Sequence, residues 1–297
     1  MIVPARDAEA TLPRTLAALA DQEGAPSYEV VVADLGSRDG TAAIAERAGA
    51  RLVSGGTNAA AASASGALLA FCGADCFPAP GWLAAGARAL AEADLVQGRL
   101  LADPRAAPGP FDLAPQVTAD SGVYDPASLF MTRALFDEIG GFDAGRESLG
   151  TTADSALGAR ARRAGARTAF CAGALCHRAT LAREPLEYLE ERTRLRELPA
   201  MVARQPELRR TLLHRRLFLS PRTLKLDLAL AAVTVAAARR STLPLLGIAP
   251  YALELRRHAR ERGGGDWKPV AAVDAAADLL GAAALVHGSV EARTPVL

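Results

Sequence analysis

The chain has 297 residues, 50% of them hydrophobic and 23% charged, with a formal net charge of +1 at pH 7. This is material for one large or two modest domains, and it excludes a chain too poor in apolar residues to build a core. The cysteines, Cys72, Cys76, Cys171 and Cys176, lack zinc-ribbon spacing and read as buried free thiols at strand ends.

The first part alternates in pattern. Strands are predicted over Ile2 to Pro4, Glu29 to Ala33, Arg51 to Ser54 and Ala67 to Cys72. Helical patterns fall between them, over Ala10 to Ala20, Thr41 to Arg47 and Asn58 to Ser65. Such a rhythm predicts a mostly parallel sheet covered by helices. Met1 leads straight into a strand with acids at Asp7 and Glu9, so no secretory signal is read and a cytoplasmic, reducing location is expected. A strand beginning at Met1 is short, and the expectation is a start a few residues upstream or a clipped strand.

Further strands are expected over Asp94 to Leu100 and Ala127 to Met131, separated by a Pro/Gly-rich loop (Asp103 to Pro115) suited to an acceptor entrance. A helix over Ala153 to Ala164 stops at Gly165, and a strand over Arg167 to Ala172 leads to His177.

The most specific stretch is Tyr28 to Thr41, YEVVVADLGSRDGT: a β-branched strand, the acid Asp34, a turn, and then Asp39-Gly40-Thr41 opening a helix. It resembles the VVDDGSTDGT signature of family 2 glycosyltransferases, the inverting GT-A type. Three further matches keep the family's order. They are MIVPARDAEATLPRTLAAL (Met1 to Leu19), ALLAFCGADCFPAPGWL (Ala67 to Leu83) and IGGFDAGRESLGTTADSALGARARRAG (Ile139 to Gly165). The resemblance spans roughly residues 1 to 180 and implies a GT-A α/β domain over 1–183, followed by a helical, Arg-rich region over 184–297.

What the resemblance implies for the site is residue-specific. Asp75, last of Gly73-Ala74-Asp75, aligns with the family's Asp-x-Asp and is the expected ligand of Mn2+ or Mg2+, a hard cation suited to a diphosphate leaving group. His177 stands where many members place a second metal ligand. Asp154, at a helix start, is the expected general base. Asp34 and Asp39 belong to the nucleotide loop, and Asn58 to the family's Arg-Asn position. Arg160 and Arg163 are candidates to face a diphosphate, against solvated helix arginines. Four departures accompany these matches: Leu35, Thr57, Gly73 and Ala153 replace residues common in the family.

Residues 1–154 carry 10 basic and 20 acidic side chains, whereas 155–262 carry 22 and 9. An acidic half suits a metal site; a basic half suits an anionic partner. Lys occurs only at Lys225 and Lys268, and that bias with the heavy Ala usage also suits a GC-rich bacterial genome. From Glu184 onward the pattern is helical: Glu187 to Ala203, Pro206 to Arg216, the apolar run Leu226 to Ala238, Thr242 to Leu253 broken by Pro244 and Pro250, and Val270 to Val290. None reads as a membrane span. A helical appendage packed on the sheet, or docked at an anionic membrane surface, is expected.

The reading is a glycosyltransferase moving a sugar from a nucleoside-diphosphate donor to an unknown, lipid-linked or small-molecule acceptor with inversion. The alternative is a degenerate nucleotide-sugar-binding or scaffold protein without turnover, which Gly73, Thr57 and Ala153 favour. A nucleotidyltransferase is disfavoured by the Gly-Gly-Phe-Asp region. A Rossmann dehydrogenase is disfavoured because no G-x-G-x-x-G follows the first strand. Nucleic acid is not expected as a partner.

Overall fold

The computed structural model describes residues 1–113, 116–120, 122, 124–142, 151–204, 206 and 208–297; at 151–156 and 211 it describes the backbone alone. The chain divides into two units, Met1–Ala107 with Ala114–Thr180, and Pro108–Leu113 with Leu181–Leu297.

The first unit is an eight-stranded sheet. Its strands are β1 (Ile2–Ala5), β2 (Val31–Asp34), β3 (Arg51–Ser54), β4 (Leu68–Cys72), β5 (Cys76–Pro78), β6 (Leu95–Ala102), β7 (Ser128–Thr132) and β8 (Thr168–Arg178). The spatial order is β3-β2-β1-β4-β7-β6-β8-β5. Parallel pairing joins β3, β2, β1 and β4, and also β6 and β8; β7 runs against both neighbours and β5 against β8.

Side chains alternate across this sheet, as extended backbone requires. Val3, Val32, Ala70, Cys72, Val96 and Phe130 face helices α1 (Leu12–Ala20), α2 (Thr41–Arg47) and α4 (Trp82–Ala89) through Leu12, Leu16, Ala45 and Trp82. Ile2, Val31, Leu69, Phe71, Leu129 and Met131 face α3 (Thr57–Ser63), α5 (Arg133–Glu138) and α6 (Thr151–Arg163) through Ala60, Ala61, Phe136 and Leu157. Gly86 of α4 lies so close to the sheet that a Cβ there would sit 2.2 Å from the Phe130 ring.

The expected elements recur with shifted ends. The largest change concerns β8. The predicted strand Arg167 to Ala172 runs on to Arg178, because a bulge opposite Gly98 and Arg99 lets pairing with β6 resume at Leu175. His177 therefore lies within the strand rather than beyond it. Three of the cysteines, Cys72, Cys76 and Cys176, are free and buried in the first core layer, and Cys171 is half-buried.

The second unit is helical: α7 (Pro185–Thr193), α8 (Leu198–Arg204), α9 (Leu208–Thr211), α10 (Pro221–Arg239), α11 (Ala249–Gly263) and α12 (Trp267–Glu291). Short 3-10 segments include Arg194–Glu197, Leu243–Ile248 and Gly264–Asp266. Among the described residues of the basic helix expected over Pro206 to Arg216, only Leu208–Thr211 is helical. Left-handed Arg215 and Arg216 turn the chain so that His214 bridges Phe218. By contrast α10 exceeds its apolar run, since Ser220 accepts from Thr223 N and Pro221 starts the first turn.

The stretch Leu243–Glu291 is long and apolar enough, by length and composition, to cross a membrane. Within it α12 turns one face to its own unit. Ala277, Gly281, Ala284 and Gly288 are buried, and a Cβ on Gly288 would meet the Arg196 carbonyl at 2.0 Å. The fully buried Asp274 of α12 accepts from Tyr188 Oη at 3.1 Å and from the Arg262 guanidinium. Asp278, one turn on, accepts from Arg222 Nε and Tyr251 Oη, each at 2.8 Å.

Candidate functional site

Strand direction decides which polar residues meet. Because β1, β2, β3, β4, β6 and β8 all point the same way, their carboxyl ends share one edge of the sheet. Asp34 ends β2, Asp75 follows β4, Asp103 follows β6, and His177 and Arg178 end β8. The reversed strand β7 begins at this edge, which places Asp125 there too. Ligands of open α/β sheets bind at such an edge, where loops leave backbone and side-chain polar groups free of the ladder.

At one side the loops after β1 and β2 are tied together. Asp34 Oδ1 accepts from Ser37 N at 2.9 Å and Ser37 Oγ at 2.6 Å, closing the turn that follows β2. Asp7 N donates to Ser37 Oγ, and Arg38 N to Asp7 Oδ1 at 2.8 Å. Asp39 accepts from Thr41 Oγ1, Thr41 N and Glu9 N, and those bonds, the Thr41 hydroxyl first, hold its carboxyl below the usual range. Asp39 is thus a clasp between two loops, whereas Asp34 keeps its second oxygen without a protein partner among the described residues.

The other side is built around Arg178. Its Nε donates to Asp75 Oδ2 at 2.9 Å, and its Nη1 lies 3.5 Å from Asp125 Oδ2. Burial works against the guanidinium's charge, but the two carboxylates outweigh it and raise its pKa further. The loop carrying Asp75 is pinned: Thr15 Oγ1 donates to Ala74 O at 2.8 Å, and Ala179 N to Asp75 O at 2.8 Å. Asp125 is set by the buried Gln97, whose Oε1 accepts from Asp125 N at 2.7 Å and whose Nε2 donates to Ser128 O at 2.9 Å. Beside them Arg14 of α1 lies 3.6 Å over the Phe77 ring and pairs with Asp103.

This geometry bears on the expected metal site. Asp75 Oδ2 is taken by Arg178, and its Oδ1 receives the Cys76 thiol at 3.3 Å. Gly73 offers no ligand, and a Cβ there would stand 2.7 Å from Asp75 Oδ1. A side chain at this position would require the Asp75 carboxylate to turn away from its present place. His177 and Arg178 are successive strand residues and face opposite sides of the sheet, so the residue that reaches Asp75 is Arg178. Among the described residues no cluster of three or more His, Cys, Asp or Glu groups could hold a cation. As placed, the Asp75 carboxylate is engaged by Arg178 rather than open to a cation.

Asn58 and Arg160 are engaged in shaping a turn. The Asn58 amide donates to Phe142 O at 2.7 Å and accepts from Phe142 N at 2.9 Å, which fastens the Gly140-Gly141-Phe142 turn to α3. Arg160 donates to Ile139 O at 3.2 Å and to Gly141 O. Gly141 is left-handed, and a Cβ there would come within 2.6 Å of Asn58 Oδ1. Arg163 is solvent-exposed. The Asp154 side chain, and the alternatives Asp143 and Glu147, lie outside the described residues, although Asp154 falls in the first turn of α6.

Sequence reasoning missed Asp125 and Arg178 as a pair. Asp125-Pro126 ahead of a strand is a visible turn signal. Nothing local links it to Arg178 or Asp75, because strand order alone brings the three together.

Residues 1–106 match the model of Glycosyl transferase family 2. A mannosyltransferase, PcManGT from Pyrobaculum calidifontis, solved with GDP-Man and Mn2+, aligns at 21% identity and a TM-score of 0.63, over 95% of this chain and 86% of that one. TarS 1-349 from S. aureus, solved with UDP-GlcNAc, aligns at 16% identity and a TM-score of 0.51, over 99% of this chain and 91% of that one. No curated protein matches the sequence. The fold these structures share is the expected GT-A fold.

Proposed function

We propose that this chain, whose residues 1–106 match glycosyltransferase family 2 on a GT-A fold, transfers a hexosyl group from a nucleoside-diphosphate donor to an acceptor hydroxyl with inversion. The observation that carries this reading is the gathering of Asp34, Asp75, Asp125 and Arg178 at the carboxyl edge of that fold's sheet. The free oxygen of Asp34 holds the base or ribose of the donor, while the Asp39 clasp keeps its loop in place. The acceptor oxygen forms a bond to the anomeric carbon. The bond from that carbon to the diphosphate oxygen breaks, with its electron pair leaving on the diphosphate. The acceptor proton passes to Asp154, the carboxylate at the start of α6.

The expectation of Mn2+ or Mg2+ comes from the place of Asp75 in the family motif, and a mannosyltransferase of similar fold solved with Mn2+ supports it. Asp75 as placed is bonded to Arg178, so no step of this mechanism runs through a metal. The acceptor we propose is lipid-linked and met at the cytoplasmic face of a membrane, a reading supported by the Arg-rich second unit. A binding protein without turnover is the second reading, and the engagement of Asp75 by Arg178 beside Gly73 is what favours it.

Thermal-shift measurements with UDP-, GDP- and dTDP-sugars, each with and without Mn2+, test both. A ligand present at ~100 times its Kd adds about 2.7 kcal/mol to the folded state, so one donor class is expected to raise the melting temperature by several degrees. If none does, the donor site is wrong. Hydrolysis of the stabilising donor in the same wells separates transferase from binding relic, and a shift that requires Mn2+ means that Arg178 yields Asp75 to the cation.

A further inference from the structure

The second unit carries a hairpin that solvent does not suit. From Leu228 to Leu253 there is no acidic residue, and the only charged side chains are Arg239 and Arg240. The 3-10 segment Leu243–Ile248 folds back on α10, with Gly247 so near Ala232 that an added Cβ would stand 3.0 Å from its methyl. That contact buries small residues. The large ones are left outside: Leu228 is 57% exposed, Leu243 and Leu246 are each 72% exposed, and Leu253 is 65% exposed. Leu230, Val233, Val235 and Leu245 are exposed as well. A helix apolar on nearly all sides and yet unburied needs a partner.

Length and charge select the partner. Leu228 to Ala238 extends about 16 Å at 1.5 Å per residue, roughly half of a ~30 Å hydrocarbon core. The hairpin is too short to span a bilayer and long enough to lie within one leaflet's interface. Arg239 and Arg240 stand exposed at its turn, without an ion-pair partner among the described residues. On α11, just past Leu253, Arg256 and Arg260 lie over the Trp267 ring at 5.7 and 5.3 Å. An indole and arginines bordering apolar surface are what a headgroup region accommodates, since long basic side chains reach phosphates while their stems stay with the acyl chains.

We propose that the hairpin Leu228–Leu253 docks this protein in the plane of an anionic phospholipid surface. Its leucines and valines enter the acyl boundary and Arg239 and Arg240 meet lipid phosphates. The inference stands independently of sugar transfer, because it concerns where the protein sits.

Flotation of the full chain on vesicles decides it. The protein is expected to float with phosphatidylcholine vesicles containing about a third phosphatidylglycerol at low ionic strength. Raising salt to ~0.5 M, which shortens the screening length to a few ångströms, is expected to release most of it, as is pure phosphatidylcholine. Leu243→Asp with Leu246→Asp is expected to cut the floated fraction at least tenfold with an unchanged melting temperature, since both side chains are exposed. Arg239→Glu with Arg240→Glu is expected to weaken flotation on the anionic vesicles alone. A wild type that stays unbound at low salt overturns the proposal. So does a Leu243→Asp, Leu246→Asp variant that floats like wild type, or a wild-type dimer by light scattering that this variant dissolves while vesicles bind neither.

Discussion

The two units treat apolar and charged residues in opposite ways. In the sheet unit the large apolar side chains are buried on both faces, and acids gather at one edge where loops tie them. In the helical unit a carboxylate, Asp274, is fully buried in an ionic network, while leucines of α10 and the following 3-10 segment face outward. The contrast sets exposed apolar side chains on the second unit against a polar, loop-tied edge on the first.

The strongest way to break this contrast is to remove chemistry from the edge and leave docking intact. For Asp154→Asn, donor binding is expected to survive and transfer to fall by roughly two to four orders of magnitude, the usual share of a general base. Radiolabelled sugar transfer measures it. A near wild-type rate moves the base to Asp143 or Glu147, and vesicle flotation should not change either way.

Asp274→Ala probes the inverted interior. Arg262 and Tyr188 would lose their buried acceptor, and a broken buried ion pair costs about 3–5 kcal/mol. Urea denaturation followed by a probe in the helical unit reads this loss. A change below about 1 kcal/mol would mean that the network is not a stabilising centre, and the contrast between the units would weaken.

Gly86→Ala tests the conventional core on the other side of the comparison. The new methyl would stand 2.2 Å from the Phe130 ring, which cannot retreat from a full layer. Overpacking of this kind costs about 1–3 kcal/mol. A neutral result would show that α4 is free to shift from the sheet.

The smallest expected effect is a pH dependence. The hydrogen bond from Arg14 to Asp103, set against partial burial, holds that carboxyl below its usual range. The stabilisation is present in full above the unfolded carboxyl pKa of about 3.9 and fades as pH falls through the lowered folded value. Wild type is therefore expected to exceed Asp103→Asn by up to about 1 kcal/mol at neutral pH, with Arg14 partly exposed. The gap should close in acid. A gap that widened below pH 3 would contradict the pairing.

The sequence by itself determined the alternation of β-branched runs and helical patterns through Cys72, since backbone preferences and side-chain periodicity act locally. It also located Asp34 and Asp75 at strand ends and Asp39 ahead of a helix, because these boundaries are written in their own neighbouring residues. It did not reveal that Asn58 clamps Phe142 or that Asp39 clasps Glu9, as those partners lie 84 and 30 residues away. Only the tertiary structure decided that Arg178, not His177, reaches Asp75. That outcome depends on the β6–β8 bulge, on the strand's two-residue alternation, and on the reversal of β7 that carries in Asp125. It decided equally which side of α10 stays uncovered. The apolar residues of Leu226 to Ala238 are plain in the sequence, but burial is a property of what packs against them, and that is set by tertiary contacts such as those of Asp274 and Asp278 with Arg262, Arg222 and Tyr251.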